Sequence, residues 1–151
     1  MIKILSWEWV GKCLGVIYWI MFIIGIMLLA LSCWREIFSW KIALSSFPIV
    51  GSISAAYLWI RRDVWRDNET IRRLTVSNDK DYLQENLISG RADCQVALIF
   101  LILVAIAQVL SQESSLNWLV FLGEMLTFVP LGNWIARWIE EYQLLKFKNE
   151  N

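Results

Sequence analysis

Four stretches of this chain, residues 13–34, 42–60, 94–112 and 114–136, contain a single acidic or basic side chain between them, Glu124. They run to between 19 and 23 residues. At a helical rise of roughly 1.5 Å per residue, about 20 residues cross a hydrocarbon layer about 30 Å thick. In that layer the backbone finds no water to bond, so an apolar run of such length satisfies its amides internally, as a helix. The expectation is an all-α protein: a four-transmembrane-helix bundle of two antiparallel hairpins, forming one membrane domain over residues 1–151, with the lipid bilayer as its first partner.

The 14 basic residues balance the 14 acidic ones, but they are not evenly placed. Lys3 and Lys12 precede the first span, seven basic residues lie between the second and third, and Arg137, Lys146 and Lys148 follow the fourth. Only Arg35 and Lys41 fall on the opposite side. Basic flanks are retained in the cytoplasm, so both termini and the middle connector are expected there, in a membrane of the bacterial inner type. Tryptophan, apolar in body with one N–H donor, favours the membrane–water boundary. Nine of the ten tryptophans sit near a span end, and Trp19 alone lies within a span.

The opening lysine and apolar run resemble a leader, and Ala30, Leu31, Ser32 and Cys33 have the outline of a lipoprotein processing site. The run exceeds the usual leader core and Leu31 is bulky where a small residue is needed, so the first span is read as a retained helix. Cys13, Cys33 and Cys94 are too few and scattered for a disulfide framework or a dithiol pair. Histidine is absent, which removes the usual general base and the commonest nitrogen ligand for zinc and haem. With no glycine-rich loop following a strand and no metal-ligand spacing among the acids, the chain reads as a non-enzyme with no catalytic residue, cofactor or metal.

The loops near 35–41 and 112–117 are short enough to make each hairpin a pair of antiparallel neighbours. The connector, 61–93, has seven acids and seven bases without linker composition. Val64, Ile71 and Leu74 recur at helical spacing, which continues the second helix to Leu74. Ser77, Asn78 and Asp79 then form a turn, and a short helix opened by Asp81 and Gln84 is stopped at Gly90. This cytoplasmic helical extension presents Arg61, Arg62, Arg66, Arg72 and Arg73, which contact anionic lipid or dock a protein partner or a second copy. Neutral overall, it lacks the basic stripe of a nucleic-acid binder. Residues 137–151 form a charged cytoplasmic tail.

Within the membrane, Glu124 lies near mid-depth, where a charged side chain costs about 2.5 to 3.5 kcal/mol on insertion scales. No span supplies a Lys, Arg or His to neutralise it. Counted from the cytoplasmic ends, Gln108, Ser46, Pro48 and Gly25 fall at the same height within about 5 Å. Asn117, Glu124 and Thr127 share one helix face. This predicts a polar site of Glu124, Gln108, Asn117, Thr127 and Ser46, either as an interhelical hydrogen bond or as an ion path. Pro48 and Pro130 free the carbonyls of Leu44 and Leu126 nearby. Small residues mark close packing: Gly11 with Gly15 on the first helix, and Gly51 with Ala55 and Ser52 with Ala56 on the second. The first helix, apolar all round from Ile20 to Leu31, is expected to face lipid. The reading favoured from these residues is an oligomeric or accessory membrane component, acting by helix association and through its cytoplasmic hairpin. A small ion or proton channel or transporter using Glu124, and an immunity, toxin or phage-defence protein, are the alternatives.

Overall fold

The computed structural model describes residues 7–61, 80–112 and 115–150. It is all-α, with no strand among the described residues. The helices are α1 (Trp7–Trp34), α2 (Trp40–Ile60), α3 (Lys80–Leu110) and α4 (Trp118–Glu150). Each contains a segment long and apolar enough to span a membrane: Lys12–Trp34, Trp40–Ile60, Leu87–Leu110 and Trp118–Glu150. The expected helix over 61–74, the turn at 77–79, and Arg62, Arg66, Arg72 and Arg73 lie outside the described residues.

Local chemistry fixes the ends. After α1, Glu36 adopts the left-handed conformation, with φ 57°, which costs an ordinary residue about 1 kcal/mol. The amides of Ile37 and Phe38 both donate to the Ser32 carbonyl, at 3.0 and 3.1 Å, which holds the turn. Ser39 is extended and its hydroxyl accepts from the Ile42 amide at 3.3 Å, capping α2. Asn117 does the same for α4, accepting from the Leu119 amide at 2.9 Å.

Two boundaries differ from those expected. Gly90 does not stop a helix, and α3 runs unbroken from Lys80 to Leu110. Glycine costs a helix only about 1 kcal/mol, and here Ser89, Ala92 and Asp93 bury the turns on either side. The charged tail is not separate either, because α4 continues through it to Glu150. At 31 and 33 residues, α3 and α4 are roughly 46 and 50 Å long, beyond what a bilayer core requires. We call the end of the bundle that carries Arg61, Arg91 and Arg137 the charged end, and the end with loops 35–39 and 111–117 the hairpin end.

The packing order also departs from expectation. The closest pairs are α2 with α3 and α1 with α4, and α4 also packs against α2 and α3; the backbones of α1 and α2 do not pack together. Thus α2, α3 and α4 form a three-helix core and α1 lies along the outside of α4. A five-residue loop reaches roughly 17 Å, enough to let α4 pack between two helices that adjoin in sequence. Glycine sets the α1–α4 seam. A Cβ on Gly25 would lie 2.8 Å from the Thr127 amide nitrogen and 2.9 Å from the Gly123 carbonyl oxygen, so the two backbones touch there. One on Gly123 would meet Leu29 at 2.9 Å. Trp19 and Phe22 close the same seam over Trp134, at ring-centroid distances of 4.6 and 5.1 Å.

In the core, Ala55, Leu58, Val96, Ala97, Phe100 and Ala136 are buried together, with Phe47 and Phe128 against them. Gly51 fits here: a Cβ would meet Val104 at 2.5 Å. Outward faces are the reverse of a soluble protein's. Ile17, Ile20, Ile24 and Met27 of α1, and Leu98, Ile102, Ile106 and Val109 of α3, are exposed, which in lipid needs no compensation.

Candidate functional site

Two polar clusters lie between α2 and α4. The first is at mid-depth. Glu124 is 4% exposed, and its Oε2 has no hydrogen-bond partner. It faces α2, where the fully buried Ser46 hydroxyl is turned toward it. Ser46 donates to the Ile42 carbonyl of its own helix at 2.9 Å. A serine hydroxyl has one hydrogen and rotates, so it can keep that bond or donate to Glu124 instead.

The other residues expected in this site are elsewhere. Gln108 has the right depth and the wrong azimuth: Val96, Phe100 and Ala107 lie on the buried stripe of α3, while Gln108, one residue past Ala107, is exposed. It therefore does not pair with Glu124. Thr127 donates to the Gly123 carbonyl at 2.7 Å and packs against Gly25, in the α1–α4 seam. Asn117 is the cap of α4 described above. Of the five predicted residues, the fold brings Glu124 and Ser46 together and leaves the other three apart. Both α2 and α4 remain helical through Pro48 and Pro130.

The second cluster closes the charged end. The Arg61 guanidinium, beyond the last turn of α2, donates to Asn133 Oδ1 on α4. It also lies 4.0 Å from Asp93 of α3, whose side chain is 1% exposed. Three helices are thereby tied at one point. Beside it, the hydroxyls of Tyr18 and Tyr57 are hydrogen bonded and bridge α1 to α2. Arg61, expected on a docking surface, is turned into the bundle at 17% exposure. Asn133 and Asp93 were not singled out from the sequence. The signal available was an amide inside the fourth apolar run and an acid adjoining the third, each able to meet the arginine that ends the second.

The small-residue motifs divide in the same way. Gly51 and Ala55 are spent within the core, Ser52 and Ala56 are exposed, and Gly15 has open space where a side chain would stand. Gly11 belongs to α1. Among the described residues no three metal-binding side chains come together. Comparison of the chain with protein-family models, with curated proteins and with solved structures gives no match.

Proposed function

We propose that the protein is an integral membrane component whose working group is Glu124, a carboxyl that takes up and releases a proton in the course of ion or proton movement along the α2–α4 seam. The observation that carries this reading is the burial of Glu124 with one oxygen unpartnered. Ionised and unpaired in a low-dielectric interior, a carboxylate is strongly disfavoured, so the group must hold a proton or a small cation. The spans of α1, α2 and α3 bring no Lys, Arg, Asp or Glu to its depth. The nearest charged cluster, at Arg61, bonds Asn133, nine residues along α4 and thus roughly 13 Å away. An intramembrane acid so placed is costly to keep for structure alone, since measured interhelical hydrogen bonds average only about 0.6 kcal/mol.

The test is pH-driven flux into vesicles containing the purified protein. Glu124→Gln should keep the helical content and detergent-solubilised size of the parent while losing the flux. Equal flux from both proteins would remove Glu124 from the path. A second reading, an accessory component assembling through its outward faces, is favoured by α1, whose backbone packs against α4 alone and which has open space at Gly15. Both termini cytoplasmic, in an inner membrane, is the orientation that the basic residues support.

A further inference from the structure

Beside and beyond the Arg61 cluster, α3 and α4 continue side by side, and the groove between them is chemically distinct from the apolar bundle. Its base is an amide pair: Gln143 Nε2 donates to Gln95 Oε1 at 3.4 Å. Above it stand Arg91 from α3 and Lys146 from α4, flanked by the apolar Ile88 and Phe147, around an open cavity of about 270 Å³. Among the described residues the acid on its wall is Glu150, 3.9 Å from Lys146 and one turn away on the same helix. The described lining thus supplies two cations against one anion, together with amide hydrogens on the glutamines.

Position decides what can occupy such a groove. Asp93 and Arg61 end the apolar runs of α3 and α2, which sets the edge of the hydrocarbon at their level. Gln95, at the base, lies two residues inside Asp93 and Arg91 two residues beyond it, about 3 Å of rise on either side. The polar layer of a bilayer leaflet extends about 5 to 7 Å outside its hydrocarbon, so the groove opens from the hydrocarbon edge toward the lipid phosphates, with Arg91 on their side of it. Aromatic rings give an independent marker of that height. Trp59 is exposed at the same end, and Trp138 and Tyr142 are exposed and stacked on each other, as in an interfacial belt.

We propose that the α3–α4 groove binds the headgroup of an anionic phospholipid from the surrounding membrane. The Arg91 guanidinium offers a planar donor fork matched to phosphate, and Lys146 adds a second positive charge. The amide hydrogens of Gln95 reach the remaining phosphate oxygen, and Ile88 and Phe147 cover the glycerol and the start of the acyl chains. Basic pockets between membrane helices at this depth are suited to acidic headgroups. The site is independent of Glu124 and would hold if no ion crosses the bundle.

The full-length protein in nanodiscs of mixed phosphatidylglycerol and phosphatidylcholine provides the test, with retained phosphatidylglycerol read by native mass spectrometry. Joint Arg91→Gln and Lys146→Gln substitution should lower retention roughly 25-fold, given roughly a factor of five for each basic side chain near the surface. Arg91→Lys with Lys146→Arg, which keeps both charges, should retain most of it. Arg35→Gln with Lys41→Gln, which removes two cations at the hairpin end, should change nothing. If the first pair fails to fold, Lys146→Gln alone, at an exposed position, should still show a partial loss. Retention unchanged by that pair and by Lys146→Gln, or an equal loss from the hairpin-end pair, overturns the proposal. So does equal thermal stabilisation of the protein in pure phosphatidylcholine by inorganic phosphate, which would make the ligand a soluble anion.

Discussion

The two polar clusters between α2 and α4 are built from similar material and end in opposite states. At the charged end, the Arg61 cation bonds Asn133 and lies 4.0 Å from the Asp93 carboxylate, joining three helices. At mid-depth, Glu124 meets the Ser46 hydroxyl, and one carboxyl oxygen is left over. The first arrangement gives its buried acid a cation from a neighbouring helix. The second gives its acid none, midway along the bundle. That contrast separates a structural tie from a group available for chemistry, although a bare count of polar residues in the seam would rank them alike.

Substitutions can break the contrast. The largest effect on stability should come from Arg61→Ala, which strips the buried Asp93 of a counter-charge and Asn133 of a donor. A loss of about 3 kcal/mol is expected, measured by unfolding in mixed detergent micelles. Gly25→Ala should follow at about 2 kcal/mol, because its methyl group meets backbone atoms of α4 that cannot turn aside. It loosens α1 without touching either cluster, so ion flux should survive in whatever protein folds. Asn133→Ala should cost about 1 to 2 kcal/mol by leaving Arg61 short of an acceptor. Glu124→Gln should cost less than about 1 kcal/mol while abolishing proton-coupled flux, the reverse of the Arg61 pattern. Smallest of all, Ser46→Ala should shift stability by about 0.5 kcal/mol. If Glu124→Gln destabilises as much as Arg61→Ala, both clusters are structural ties and the contrast fails.

Much of this was visible in the residues alone. Four helices apolar enough to span a membrane, the outward apolar face of α1 and the place of Glu124 along its helix all follow from which residues are charged and how far apart they stand; the ends of α3 and α4 do not. Ser46 was matched to Glu124 in height, and the fold brings them together. Gln108 was matched equally well and is exposed, since height says nothing about rotation around a helix axis. Asn117 and Thr127 shared a face with Glu124 on paper, yet one caps the helix and the other turns to α1. Arg61 looked like part of a basic surface because its partners, Asp93 and Asn133, lie 32 and 72 residues away in the chain.

Composition and order along the chain therefore determined four helices apolar enough to cross a membrane and each residue's height along its helix: charge is excluded from hydrocarbon, and each residue advances a helix by a constant rise. Choice of neighbour and rotation about each axis came from packing in three dimensions. Lipid is as apolar as leucine, so no hydrophobic gradient tells a helix which side to bury. Close fits such as Gly25 on Gly123 and Gly51 on Val104, with Arg61 reaching Asn133, settle that instead. They put α4 between two helices that adjoin in sequence, and they left Glu124 facing Ser46.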